Sequence, residues 1–134
     1  EDVAVICSEQ TENKIFDMIN AMAEKKQKKA MELYYDLLAL KEPPMRILYL
    51  ITRQFNLLIQ VKELSEEGYS AKTISERLKM AGFIVRNCLR QAEYFSLKTL
   101  KEALQDCVRM EEAVKTGRMN DVMSVELLLV KYSS

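Results

Sequence analysis

Histidine and tryptophan are absent from this 134-residue sequence, which holds only three glycines, two prolines and three cysteines. Each shortage excludes something. Without histidine, the commonest general base and the commonest zinc ligand are both gone. Gly68, Gly82 and Gly117 are too few and too scattered to write a phosphate-cradling loop or a dinucleotide fingerprint. Cys7, Cys88 and Cys107 are odd in number, far apart and set among apolar neighbours. That pattern argues for reduced core thiols in a cytosolic protein and against a disulfide framework. No apolar run approaches the roughly 20 residues of a membrane helix, and the N-terminus lacks a signal-peptide layout. Catalytic, cofactor-binding and metal-ligating residues are therefore expected to be none, and the chain to be no enzyme by itself.

What is present points to a globular helical protein. The composition is 49% hydrophobic and 30% charged, and 20 basic residues balance 20 acidic ones. A net charge of zero creates no global field for nucleic acid or anionic lipid, so such binding would need a local patch. The length suits one domain, expected over 1–134. The chain begins at Glu1 without a methionine, as expected of a piece of a longer protein.

Helical periodicity runs through almost the whole chain. The opening "VAVIC" is read as a short helix. Ile15, Met18, Ile19 and Met22 mark an amphipathic helix, and Ala30, Leu33, Tyr34, Leu37 and Leu38 mark a second. Between them, "EKKQKK" reads as a solvated connection. "KEPP" stops the second helix, and Pro44 suits the first turn of the next. That helix, over 44–64, is the longest. Ile47, Ile51, Phe55 and Leu58 cluster on one side of it, and Leu50, Leu57, Val61 and Leu64 on the adjoining side. So wide an apolar arc predicts a central helix packed against several neighbours.

Gly68 is a plausible C-cap and Ser70 an N-cap for a short helix carrying Ile74 and Leu78, which breaks near Gly82. Ile84, Val85, Cys88, Leu89, Ala92 and Phe95 predict another. Ser96 caps a long helix with Leu97, Leu100, Leu104, Cys107, Val108 and Val114, closed by Gly117; Asn120 or Asp121 caps the last. The expectation is an all-α helical bundle of about seven to eight helices.

Two features could carry function. Between residues 68 and 92 the basic residues Lys72, Arg77, Lys79, Arg86 and Arg90 face a single acid, Glu76. Two short helices around a glycine would suit a helix-turn-helix that meets phosphate through the segment 70–92. The plainer reading is two amphipathic helices with basic outer faces. The second helix starts "FIVRNCLRQA", apolar where base contacts should fall, which favours the plainer reading. The other feature is the ending, "DVMSVELLLVKY". Val122, Val125, Leu129 and Tyr132 share one face; Met123, Leu127 and Val130 form another, interrupted only by Ser124, Glu126 and Lys131. Two apolar faces mean either complete burial or contact with another chain.

The order and spacing of several stretches resemble a known family. "KIFDMINAMAEKKQKKAMELYYDLL", "EPPMRILYLITRQFNLLIQVKEL", "LKMAGFIVRNCLRQAEYFSLKTLKEALQ" and "EEAVKTGRMNDVMSVELLLVKYS" together are similar to the C-terminal collar domain of the delta subunit of bacterial DNA polymerase III, part of the clamp loader. The resemblance covers nearly the whole chain and implies a C-terminal, clamp-loader collar-type helical domain. In that family it follows an ATPase-like fold that, in delta, hydrolyses no ATP. The implied function is subunit assembly during DNA replication. The collar domains of delta, delta-prime and tau/gamma would hold the ring together while the sliding clamp is placed on primed DNA. The clamp itself would be gripped by an N-terminal region that this sequence lacks, and the setting would be the cytoplasm, at the replisome. No cofactor or membrane is implied. On this footing Met123, Leu127 and Val130 are the expected subunit interface. The loop before the last helix would face primer-template DNA, bringing Lys115 and Arg118 within reach of phosphate. On their own, those two residues read as cations favoured at a helix C-terminus.

Overall fold

The computed structural model describes residues 9–134. Among these it contains seven helices and no strand: α1 (Glu9–Ala23), α2 (Gln27–Ala39), α3 (Pro44–Glu66), α4 (Ala71–Leu78), α5 (Gly82–Ala92), α6 (Leu97–Lys115) and α7 (Asp121–Ser133). The all-α expectation holds; "VAVIC" lies outside the described residues.

Local chemistry sets most of the boundaries. Pro44 opens α3, where its missing N–H is no loss. The Ser70 hydroxyl accepts from the Thr73 amide at 3.2 Å and the Ser96 hydroxyl from the Thr99 amide at 3.0 Å, so each caps the helix that follows it. Gly68 follows α3 at φ 100° and Gly117 follows α6 at φ 79°, left-handed values that a Cβ would oppose.

Two expectations are corrected. The break after α4 is made by Lys79, which adopts φ 56° and ψ 47°, while Gly82 is the first residue of α5. The Ser75 hydroxyl holds this turn by donating to the Met80 carbonyl at 2.5 Å. Second, the basic run is only partly a connection: Gln27, Lys28 and Lys29 already form the exposed first turn of α2. Val108 and Ile84 sit in the helices expected for them, yet are 53% and 37% exposed. The buried stripe of α6 is centred on Leu100, Ala103 and Cys107, and Val108 lies about 100° round the helix from Cys107.

The chain divides into two compact units. One comprises the described residues up to Thr52 together with Asp106–Ser134. In it α1 packs against α2, and α7 lies against both. Its buried side chains include Met18, Ile19 and Met22 of α1, Tyr34 and Leu37 of α2, and Ile47 and Ile51 of α3. The other unit is Arg53–Gln105, where α4 packs against α5. Phe55 meets Phe95 edge-on, ring centroids 6.1 Å apart, and the buried Gln91 accepts from the Gln54 amide at 2.9 Å. Burial pushes the Cys88 thiol upward in pKa, opposed by its contact with Gln54.

Candidate subunit interface

The path to α7 starts at the turn after α6. Gly117 donates to the Val114 carbonyl at 3.1 Å and Arg118 to the Ala113 carbonyl at 2.8 Å, closing α6. The Asn120 side chain then accepts from the Met123 amide at 3.1 Å, and Asp121 from the Val122 amide at 2.7 Å. An acid in this first turn also suits the positive end of the helix dipole.

The inner face of α7 is Val125, Leu128, Leu129 and Tyr132, all buried. Ser124 and Ser133 share that burial, and neither hydroxyl goes unsatisfied: they donate to the Asp121 and Leu129 carbonyls at 2.7 and 2.6 Å. The outer face remains in solvent. Met123 is 50% exposed, Leu127 43% and Val130 38%. Hydrophobic burial therefore accounts for one side of α7 and leaves three large apolar side chains in water on the other.

Polar side chains from α2 and α6 fasten the helix. The buried Tyr34 donates its hydroxyl to the Val122 carbonyl at 2.9 Å. Burial drives its pKa well above the ordinary phenol range, with Glu126, Asp121 and Tyr35 adding to the effect. Next to it, Tyr35 donates to Glu126 at 2.7 Å, a bond that raises the Tyr35 pKa. Near the C-terminal end, Asp106 accepts from Tyr132 Oη at 2.5 Å, from Lys131 Nζ at 2.7 Å and from Arg109 Nη1 at 3.3 Å. Burial alone would raise the Asp106 pKa. Hydrogen bonds from Lys131 and Tyr132, with the charges of Lys131 and Arg109, outweigh it and hold the carboxyl below its usual range. Lys25 completes the set by donating to the Tyr132 carbonyl at 3.3 Å.

The sequence reading found neither Leu128 nor this polar fastening. Leu128 was legible, since it falls on the wheel only about 40° from Tyr132, on the same side as Val125. Asp106 left a fainter trace, an acid beside the apolar stripe of α6.

The other site residues are placed as follows. Lys115 is paired with Glu111 at 3.3 Å, one helical turn back, and the Arg118 guanidinium donates to Thr116 Oγ1 at 2.9 Å; both side chains are exposed. Lys72, Arg77, Lys79, Arg86 and Arg90 are all exposed on α4, α5 and the turn between them. Arg77 lies over the Tyr69 ring, 4.3 Å from its centroid, and Arg90 bonds Asn87 within α5. The first turn of α5 presents Phe83, 61% exposed, and Ile84 to solvent, a poor start for a helix that reads bases. Among the described residues no cluster of three or more His, Cys, Asp or Glu could hold a metal, and no helix is long and apolar enough to cross a membrane.

These features define a class: an all-α domain whose last helix is closed on one side and apolar but uncovered on the other. The chain belongs to the family of C-terminal domains of the DNA polymerase III delta subunit, and the match runs over residues 12–132. It is 33% identical over 131 residues to DNA polymerase III subunit delta of Bacillus subtilis (strain 168), covering 98% of this chain and 38% of that protein. Among solved structures, the Bacillus subtilis DNA clamp loader delta protein (YqeN) superposes with a TM-score of 0.87 at 34% identity, over 91% of this chain and 36% of that one. The chain thus spans well under half the length of these relatives. None of these likenesses supports a helix-turn-helix reading of α4 and α5.

Proposed function

We propose that this chain is a subunit-assembly module of the bacterial DNA polymerase III clamp loader. Its α7 outer face packs against the helical domains of the delta-prime and tau/gamma subunits, holding the loader together while a sliding clamp is placed on primed DNA. The work is association rather than catalysis, carried out in the cytoplasm at the replisome. The observation that carries this reading is the exposure of Met123, Leu127 and Val130 on a helix whose other side is buried. The family membership supplies the kind of neighbour. Apolar side chains at the centre of such a face each contribute to association once water is excluded around them.

Leu127→Asp tests it. A carboxylate buried at the contact should weaken co-elution with delta-prime and tau/gamma by about 30- to 100-fold, roughly 2–3 kcal/mol. The melting temperature of the unassociated protein should hardly move, since residue 127 already meets water. Unchanged association, or unfolding of the unassociated protein, overturns the reading.

A further inference from the structure

Helix α7 raises a question of orientation. Its apolar side chains stand on both sides, so any rotation about its axis that turns Val125 or Leu129 outward turns Leu127 or Val130 inward. Positions 125 and 127 are about 200° apart on the wheel. Hydrophobic burial discriminates only weakly between such faces, because each apolar group turned out is offset by one turned in. A group that is sensitive to the rotation must decide.

Of the fastenings described above, the Tyr34 and Lys25 bonds reach main-chain carbonyls, which lie closer to the helix axis and move less on rotation than side-chain tips do. The Tyr35 bond to Glu126 is exposed, where such contacts are weak. Asp106 differs from all three. Its side chain is only 9% exposed, and it collects two donors from consecutive residues of the last turn, Lys131 and Tyr132. Lys131 also sits 5.3 Å from the Tyr132 ring centroid, so both donors approach as one unit. Turning α7 would strip those donors from a nearly buried carboxylate, which is strongly unfavourable. Buried polar groups that fix register among near-equivalent packings are the best-attested use of such costly contacts.

We propose that Asp106 is a positioning residue that selects which face of α7 is buried, and so keeps Met123, Leu127 and Val130 outward. Only the use made of the outward face rests on the assembly reading; the selection itself is measurable with no partner present.

The experiment is cysteine alkylation of the intact protein, mapped by mass spectrometry, with Leu127→Cys and Val125→Cys made separately. With Asp106 in place, position 127 should label quickly and position 125 slowly. In an Asp106→Leu background, labelling at 125 should rise by about tenfold or more and labelling at 127 should fall, with helicity retained. Asp106→Asn, nearly isosteric, should shift both rates in the same directions, and serves if the leucine variant does not fold. Asp106→Glu, which keeps the charge and both acceptor oxygens, should restore the native order. The buried Cys88 and Cys107 report general opening. If labelling rises at 125 without protection at 127, or rises equally at Cys107, Asp106 merely stabilises and the proposal is overturned. Unchanged rates at both positions overturn it too.

Discussion

Lys79 occupies a backbone conformation that a branched Cα resists. At φ 56° and ψ 47° its Cβ crowds the following carbonyl, at a cost of about 1 kcal/mol or slightly more. The turn keeps it because the amide of Lys79 and that of Met80 both find the Ser75 carbonyl, which closes the last turn of α4. Glycine would take the same shape freely but would lose more freedom on folding. Lys79→Gly should therefore raise stability by about 0.5–1 kcal/mol, read as a shift in the urea midpoint at constant slope. A decrease would mean that the lysine stem or its charge contributes more than the strain removes. This residue also shows where composition misleads. Gly82 looks like the breaker in the sequence, yet a lysine three positions earlier makes the turn, because neighbouring hydrogen bonds override intrinsic preference.

Asp106 fastens α6 to α7, and that fastening depends on pH with a definite sign. Its folded pKa lies below the ordinary carboxylate value, so its contribution is fully present above about pH 4. It is lost as pH falls through the lowered folded value. Thermal midpoints measured from pH 5 downward should fall, and Asp106→Asn should flatten that descent; an unaltered slope in the variant would assign the acid sensitivity elsewhere. The opposite arm belongs to Cys107, whose thiol burial pushes up to about 11. Its contribution is whole below pH 9 and declines as pH rises towards 11. At this scale the sequence was most informative. Periodicity placed every helix from α1 to α7, and serine, asparagine, proline and glycine marked most of their ends. The fastening between α6 and α7 was hidden because it joins residues 25 or more positions apart in the chain. Wheel arithmetic on one helix cannot reveal what another helix offers it.

For the molecule as a whole, one of the two faces of α7 has no occupant among the described residues. The sequence displayed both faces plainly, because Met123, Leu127 and Val130 interrupt the polar positions that a solvent-facing helix should have. Which face turns inward was not legible, since the contacts that hold α7, those of Asp106 foremost, come from other helices. The outward face also carries a thioether, and its chemistry differs from that of its aliphatic companions. Dilute peroxide should convert Met123 to the sulfoxide well before Met18 and Met22, which are fully buried. Peptide masses would follow the added oxygen. On the assembly reading proposed above, a bound partner should shield Met123, and prior oxidation should weaken the association by placing a polar S=O where hydrocarbon is wanted. Oxidant exposure would then loosen a replication machine at its seams, reversibly wherever a sulfoxide reductase is at hand.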